Sequence, residues 1–445
     1  MQDAPDTTPQ SPAEPAADSA PVGRVRVRSL TVHQFREVRP GTTLRFGEGT
    51  HLVLGRNASG KSTLLELLAA VAALNFRGPF FQATPFHLEA EIAVGELTLQ
   101  VEVRRQFEPV RMRSVGDKYV DLPPRDEAEL HASLQVPGVL QQWLRARTGE
   151  AVEIFPRDPR VEASSPTTQQ YHGGTDPLSW SLSHVLGECA TVDIDGARRL
   201  HPRVWDLYRR LGSHPGTGAP FDESLGALST IVNGGLNVVR GDGAKFGGPW
   251  LPPSLDFDAM GEPVTRALSA DPTLRLAIQC LGYEEAKLHF GPGTAWTVGW
   301  RYASPSIQFF RGGRAVRRHD QLSYGEQRLF SFAWYLACNP DVAVADELVN
   351  GLHAEWLDWS IDALGDRQSF LSAQSPLLVD AVHFDSEAQL REGIILCEAK
   401  PRTGGEGHEL VWRQLDARES DLLARAFAQS RLDLLSDLLH ALDLW

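Results

Sequence analysis

A nine-residue stretch of the chain has the residue types and spacing of a phosphate-binding loop, G-x-x-x-x-G-K-[ST]. Its glycines let backbone N–H groups curl around phosphate oxygens, and the helix that follows adds the positive end of its dipole. Lys61 supplies a positive charge for the β- and γ-phosphates of a nucleotide, and Ser62 supplies a hydroxyl for Mg²⁺. A Gly-rich strand-to-helix turn without a ligand is the alternative explanation. The loop consists of Gly55, Arg56, Asn57, Ala58, Ser59, Gly60, Lys61, Ser62 and Thr63.

Two carboxylates follow a short apolar strand pattern in the stretch DVAVADE. We expect this strand to lie beside the strand that precedes the phosphate-binding loop, which would place Asp346 near the metal ion. Glu347, one residue further, would then polarise the water that attacks the γ-phosphate. Strands often end in solvated acids, so these two carboxylates indicate a metal site only in combination with the phosphate-binding loop upstream.

A Ser-Gly turn begins the helix that leads into this strand. Ser323 and Glu326 have the spacing of a capping box, and apolar residues follow them at helical spacing until Asn339-Pro340 ends the helix. Capping accounts for the helix but not for the two carboxylates after the next strand. The turn consists of Leu322, Ser323, Tyr324, Gly325 and Glu326.

The composition limits the classes of protein that the chain can belong to. It has 445 residues and a formal charge of −14, which argues against a protein that coats nucleic acid through its overall field. Its 4 cysteines are far apart and include no Cys-x-x-Cys, so neither a zinc site nor a disulfide framework is expected. The same cysteine usage predicts a cytoplasmic location. No apolar run is long enough for a membrane span, so no membrane partner is expected.

The pattern along the chain predicts an α/β fold with a mixed sheet covered by helices. We divide the chain into a disordered tail (1–22), an N-terminal lobe with the phosphate-binding loop (23–122), a mostly helical insertion (123–283) and a C-terminal lobe (284–445). The insertion is assigned from helix-like fragments such as PGVLQQWLRA, PRVWDLYRRLG and ESLGALSTIV. No heptad repeat continues through it, which excludes a long coiled coil.

Together these motifs resemble the head of ABC-type ATPases, in the branch that includes SMC and RecF proteins. The resemblance rests on the phosphate-binding loop, on Leu-Ser-x-Gly-Glu at the start of a helix, and on a strand ending in Asp-Glu with Asn-Gly-Leu-His after it. It covers Arg24 to about Phe107 and Trp296 to about Val382. It implies a P-loop NTPase fold, ATP hydrolysis with Mg²⁺, and pairing of two copies in which the turn at Ser323 faces the γ-phosphate held by the partner.

The resemblance also assigns roles to residues outside these motifs. Gln82 falls where a family glutamine couples the metal ion to the inserted region, although a polar loop residue explains it equally well. Gln374, in SAQSPLLVD, stands where the family usually has His, which predicts slow hydrolysis; Tyr324 replaces a second glycine of the turn. The loop that would touch the opposite subunit consists of Asn350, Gly351, Leu352 and His353.

The compact stand-alone ATPases of this branch, described as AAA-family proteins in bacterial antiphage defence, suggest a biological role. By that resemblance the chain is a sensor or regulatory ATPase that acts with a separate effector protein. One alternative is a RecF-like DNA repair ATPase that binds DNA through the basic hairpin at Arg314, Arg317 and Arg318, for which a solvated edge is the simpler explanation. The other alternative is an ATP-gated scaffold with negligible hydrolysis.

Overall fold

The fold is known from a computed structural model of the chain. The predicted tail (1–22) and Gln82 lie outside the residues that it describes. The described residues are 24–76, 79–81, 84–107, 112–115, 118–121, 126–136, 140–161, 165–169, 177–180, 182–194, 197–200, 218–221, 236–240, 246–247, 251–252, 254–255, 263–296, 299–302, 305–402, 407–429 and 434–445.

A five-stranded sheet contains the strand that precedes the phosphate-binding loop and the strand that precedes the carboxylate pair. Its first four strands are parallel to their neighbours and the last is antiparallel. Because the carboxyl ends of parallel strands meet at one edge, the residues that follow three of these strands are brought together there. In spatial order the strands are Val342–Ala345, Gln368–Ala373, Thr50–Leu54, Ile394–Pro401 and His408–Gln414.

The strand order corrects one expectation. The carboxylate strand Val342–Ala345 does not lie beside the loop strand Thr50–Leu54, because Gln368–Ala373 lies between them and pairs with both. All six residues of the middle strand are buried, so it takes an interior position that local pattern alone does not assign. Its first residue, Gln368, exchanges hydrogen bonds of 2.8 Å with the backbone of Val27 and so joins this sheet to a second one.

The second sheet has eight strands and packs against the helix Lys61–Ala73 through one large apolar cluster. Its strands, in spatial order, are Thr167–Gln169, Val152–Phe155, Leu140–Arg147, Asp126–Val136, Leu97–Phe107, Phe86–Val94, Val25–Phe35 and Thr42–Arg45. The remaining described strands form smaller sheets. They are Val264–Ala267, Glu285–Phe290, Ser306–Arg311 and Arg314–Arg318; Phe246–Gly247, Leu236–Arg240, Gly299–Tyr302 and Thr294–Trp296; Thr191–Ile194 with Ala197–Leu200; and Met112–Val115 with Lys118–Asp121.

The helices complete the layers of the α/β fold. The helix that begins at the Ser-Gly turn packs one side against the sheet of Val264–Ala267 and the other against the five-stranded sheet. Helices near the end of the chain cover the same face of the five-stranded sheet. In the described residues the α-helices are Lys61–Ala73, Leu182–Cys189, Pro272–Cys280, Tyr324–Cys338, Ala354–Leu364, Pro376–Ala381, Glu387–Gly393, Ala417–Gln429 and Leu435–Ala441. The predicted mixed sheet covered by helices is confirmed.

The expectation of a mostly helical insertion is wrong for its described part. Residues 140–146, from the fragment PGVLQQWLRA, belong to the strand Leu140–Arg147, in which Leu144 and Ala146 are buried and alternate with more exposed residues. Pairing with Asp126–Val136 and burial with period two outweigh the helix propensity of its Leu, Gln and Arg residues.

The other two helix-like fragments, PRVWDLYRRLG and ESLGALSTIV, lie outside the described residues. The division into four segments remains a prediction, although the eight-stranded sheet takes strands from both sides of residue 123. In the described part of the chain, no helix is both long and apolar enough to cross a membrane.

Candidate functional site

The phosphate-binding loop joins the central strand of the five-stranded sheet to the helix Lys61–Ala73. Ala58 and Gly60 have left-handed backbone angles, with φ of +63° and +87°. A side chain at Gly55 would overlap the carbonyl oxygen of Cys397 and lie 2.6 Å from Ser59 Oγ. The loop therefore follows a path that its first glycine makes sterically possible.

Lys61 lies at the base of this loop with only 6% of its surface exposed. Its Nζ donates hydrogen bonds to the carbonyl oxygens of Gly55, at 2.9 Å, and of Arg56, at 3.1 Å. Burial lowers the pKa of Lys61, while the nearby Asp346 and Glu347 act to raise it. The ammonium group is thus held at the loop by two of the loop's own carbonyl oxygens.

Asp346 is brought to this loop from the end of the carboxylate strand. The Ser62 hydroxyl donates a 2.5 Å hydrogen bond to Asp346 Oδ2, and the Ser372 hydroxyl donates to Oδ1. Asp346 follows the strand Val342–Ala345, Ser372 lies on the neighbouring strand Gln368–Ala373, and Ser62 lies in the first turn of the helix Lys61–Ala73. A hydroxyl and a carboxylate are the oxygen ligands that Mg²⁺ prefers. The contribution of Ser372 was not predicted.

Glu347 has an unusual backbone and a tightly held carboxylate. Its φ is +49°, a left-handed conformation that costs a non-glycine residue about 1–2 kcal/mol. Its N–H donates to Ser372 Oγ at 3.0 Å. Asn350 Nδ2 donates to Oε2 at 2.5 Å, and Gln374 Nε2 donates to Oε1. The surrounding contacts therefore keep this carboxylate in one orientation.

Arg328 holds the backbone carbonyl of Glu347. The sequence did not predict this role for Arg328. It is completely buried, its Nη2 donates to the carbonyl oxygen of Glu347 at 2.7 Å, and its guanidinium lies 5.1 Å from the centre of the Phe221 ring. Phe221 belongs to the region assigned to the insertion, and it exchanges backbone hydrogen bonds with Val344, at 2.8 Å, and Asp346, at 2.7 Å. A single arginine within an apolar helix is the sequence signal that would have identified Arg328.

The phosphate-binding loop, Glu347 and Gln374 line one cleft of about 790 Å³. The loop residues from Asn57 to Thr63 form one wall, and Glu347 and Gln374 contribute to it as well. The volume is in the range typical of small-ligand sites. The described lining residues that sequence reasoning did not identify include Glu37, Ala399, Arg402, Gly407, His408 and Leu410.

The Ser-Gly turn lies elsewhere on the surface. Ser323 caps the helix as expected, because its N–H donates to Glu326 Oε2 at 2.7 Å and its Oγ accepts from the Glu326 N–H at 3.4 Å. Ser323 and Tyr324 are exposed, and the turn from Leu322 to Glu326 contributes none of the described residues that line the cleft.

The loop after the carboxylates contacts both the turn and the cleft. Asn350 reaches Glu347, whereas Gly351 lies under the ring of Tyr324 so closely that a side chain at Gly351 would overlap it. The His353 ring meets Trp356 edge-on at 5.2 Å, and Leu352 is half-buried. This loop therefore forms a continuous chain of contacts from the turn to Glu347.

The fold of this chain is remotely similar to those of solved structures. Comparisons with protein-family models and with curated proteins found no match. Among solved structures, the SMC head domain from Thermotoga maritima is 13% identical, with a TM-score of 0.35 over 88% of this chain and 100% of that one. The SmcHead bound to the C-winged helix domain of ScpA is 11% identical, with a TM-score of 0.34 over 87% and 98%.

The recombination mediator protein RecF of the RecFOR pathway is also 11% identical, with a TM-score of 0.31 over 89% of this chain and 99% of that one. SMC and RecF proteins form the branch that the sequence motifs resemble.

Proposed function

We propose that the chain is an ATP-binding and ATP-hydrolysing switch that pairs head to head around Mg-ATP. The observation that carries the proposal is that Lys61, Ser62 and Glu347 line one cleft at the edge of the five-stranded sheet, where Asp346 is hydrogen-bonded to Ser62. Ammonium, hydroxyl and two carboxylates are the groups that phosphoryl transfer to water requires from a P-loop enzyme.

The loop would bind the phosphates through its N–H groups and Lys61. Ser62 and Asp346 would hold Mg²⁺, because both offer oxygen ligands of the kind that this ion takes. The hydrogen bond that now joins them would be exchanged for the ion. When bound, Mg²⁺ offsets the negative charge of the phosphates. The buried Ser59 hydroxyl, which has no hydrogen-bond partner among the described residues, lies in the same loop. Gln82 is proposed as a further metal ligand from its sequence position.

Glu347 would orient the attacking water and accept its proton. Its carboxylate lines the cleft, and the amides of Asn350 and Gln374 fix its direction. Gln374 offers hydrogen bonds where histidine would also offer a charge, so we propose slow hydrolysis.

The exposed turn supports pairing of two copies. It begins a helix of 15 residues, and the free N–H groups and dipole of such a helix favour a phosphate. Because the turn lies outside the cleft of its own chain, the phosphate that it would meet belongs to the partner. Nucleotide would then bind the closed pair more tightly than the open chain, which is the condition for ATP to drive association.

Two variants test binding and pairing separately. We expect Lys61→Ala to abolish ATP binding measured by calorimetry, and Ser323→Arg to preserve binding but abolish ATP-dependent dimers in sedimentation. Ser386→Arg is the matched control, because Ser386 is also an exposed serine whose Oγ caps a helix. An equal loss of ATP affinity in Lys61→Ala and Ser323→Arg would contradict the role of the turn in pairing.

One observation favours direct DNA binding as a second function. The edge strand Arg314–Arg318 is exposed at all five residues. Two of its arginines are engaged with acids, Arg317 with Glu326 at 3.2 Å and Arg318 with Asp320 at 3.1 Å. DNA binding that weakens with salt and disappears when Arg314, Arg317 and Arg318 are neutralised would establish this function.

Gln374 favours a scaffold as the third candidate. In that case ATP closes the pair but is hardly hydrolysed. Single-turnover ATP hydrolysis by the wild type and by Glu347→Gln separates a scaffold from an enzyme. If the wild type is as slow as the variant while ATP pairs both, the chain is a scaffold.

For the biological role, we propose a sensor or regulatory ATPase of an antiphage defence system that acts with a separate effector in the cytoplasm. The motif resemblance supports the defence role, and the four cysteines, all unpaired, support the location. A neighbouring nuclease or toxin gene would support defence, whereas neighbouring recombination genes would favour repair.

A further inference from the structure

Two histidines and a glutamate converge on the exposed face of the eight-stranded sheet. His33 lies on Val25–Phe35, and His87 and Glu89 lie on the neighbouring strand Phe86–Val94. The register of these strands shifts at His33, which falls between the paired residues Val32 and Gln34. Such an irregularity re-aims a side chain. The two imidazole rings are 4.4 Å apart, and the ligand atoms of all three residues lie within 4.8 Å of one another.

The Nε2 atom of His33 is inaccessible to solvent and has no hydrogen-bond partner among the described residues. Glu89 Oε1 lies 3.2 Å from it, but the direction of this approach is unsuited to a hydrogen bond. Two ligands of one tetrahedral zinc ion are separated by about 3.3 Å, given metal–ligand distances of about 2.0–2.1 Å. An ion between the two atoms would therefore satisfy a nitrogen that the ion pair leaves unsatisfied.

The surroundings leave room for such an ion. Glu89 lines a cavity of about 260 Å³, together with Glu91, Glu102, Arg160 and His131. Glu102 accepts a 2.8 Å hydrogen bond from His87 Nε2 and is also paired with Arg160 at 2.6 Å. His87 would exchange its bond to Glu102 for the ion, and Glu102 would keep Arg160 as its partner.

We propose that His33, His87 and Glu89 form a binding site for a divalent transition-metal ion of the zinc class. Imidazole nitrogen suits zinc and its neighbours in the series, whereas Mg²⁺ takes oxygen ligands. The site is on a different sheet from the nucleotide cleft and does not depend on the proposed function. Three protein ligands leave a coordination position open beside the cavity. The cysteine spacing gave no sign of this site because its ligands are histidine and glutamate from two strands.

Zinc titration of the full chain tests the site. In excess Mg²⁺, which occupies oxygen-ligand sites, we expect calorimetry to show one Zn²⁺ ion per chain. We expect His33→Gln and Glu89→Gln each to weaken binding by at least about tenfold, because even the loss of a group that only supports a ligand costs 10- to 100-fold. Co²⁺ should give absorption bands of a low-coordinate site in the wild type and lose them in both variants.

The matched control is His131→Gln. His131 makes a similar pair with Glu129, at 2.9 Å on the same sheet, but it is not part of the three-residue group. Its variant should bind Zn²⁺ like the wild type. Circular dichroism would establish that the variants fold, and Glu89→Gln changes an exposed residue with little change in shape. The proposal is overturned if the wild type shows no saturable Zn²⁺ binding, or if His33→Gln and Glu89→Gln bind it unchanged.

Discussion

The side-chain amide of Asn350 donates a 2.5 Å hydrogen bond to Oε2 of Glu347. The other oxygen of the same carboxylate accepts from Gln374, and Arg328 holds the backbone carbonyl. Glu347 is thus held at both carboxylate oxygens and at its backbone, while its φ of +49° is unfavourable for its residue type. A carboxylate that orients water needs such a fixed direction.

Removing the Glu347 carboxylate should stop hydrolysis and leave binding intact. We expect Glu347→Gln to lower the single-turnover rate by about 10²- to 10⁴-fold, the usual contribution of a general base. Its amide keeps the shape of the side chain, so ATP affinity in calorimetry should change little. A variant that loses ATP affinity as completely as Lys61→Ala would place Glu347 in binding rather than in hydrolysis.

Changing Gln374 tests its contact with Glu347. Gln374→Ala removes the amide that donates to Glu347 Oε1, so we expect hydrolysis to fall by about tenfold, the effect of one lost hydrogen bond of about 1.4 kcal/mol. Gln374→His restores the residue that the resembling family usually has, and we expect it to hydrolyse ATP at least as fast as the wild type. Equal rates for all three forms would show that this position does not act in the reaction.

Gly351→Ala tests the contact between the turn and the loop that reaches Glu347. Gly351 has a φ of +77°, and a new side chain would overlap Tyr324, so we expect weaker ATP-dependent pairing in sedimentation. Gly149→Ala is the matched control, with a φ of +75° and nothing within 4 Å. Gly149→Ala should lower the free energy of unfolding by the backbone strain of about 1–2 kcal/mol and leave ATP-dependent pairing unchanged. Adding Tyr324→Ala to Gly351→Ala should remove the overlap and restore ATP-dependent pairing in sedimentation. If pairing is not restored, the two residues are not coupled.

Arg328→Met should destabilise the chain more than any exposed arginine change. Arg328 is completely buried and donates to the carbonyl oxygens of Glu347 and Leu348. Losing hydrogen bonds from a charged donor there should lower the free energy of unfolding by about 1.5–3 kcal/mol. Arg425→Met removes an exposed pair with Asp421 on one helix and should cost about 0.3–0.5 kcal/mol. Equal shifts of the urea midpoint for both variants would contradict this prediction.

His51 should make stability depend on pH. Burial lowers the pKa of His51 to about 4, although backbone groups of Ser369 and Gly49 act to raise it. Between that pKa and about 6.5 the unfolded chain binds a proton that the folded chain does not. The free energy of unfolding should therefore fall as pH decreases through this range, by up to about 1.4 kcal/mol per pH unit.

His51→Asn would remove this titration because an amide does not bind a proton in this pH range. The asparagine amide would replace the imidazole as the partner of the Ser369 carbonyl. We expect its urea midpoint to change less between pH 7 and pH 5 than that of the wild type. His383→Asn changes an exposed histidine and should behave like the wild type. Parallel pH profiles for the wild type and His51→Asn would overturn the prediction.

Sequence reasoning reached the parts of the site that local spacing defines. The loop from Gly55 to Thr63 and the capping box of Ser323 and Glu326 depend on backbone geometry within a few residues, so their residue types reveal them. Ser372 and Arg328 were missed because their partners are distant in the chain. The fragment at Leu140–Arg147 was assigned to the wrong structure because its strand partner, Asp126–Val136, outweighs its own propensity.

The amino-acid sequence by itself determined the chemical groups and the local turns that present them: a lysine after a glycine loop, a capped helix and a carboxylate pair after a strand. Only the tertiary structure decided the neighbours. It placed Gln368–Ala373 between the loop strand and the carboxylate strand, and it set His33 beside His87. Strand order and register follow from long-range burial and pairing, which no local spacing encodes.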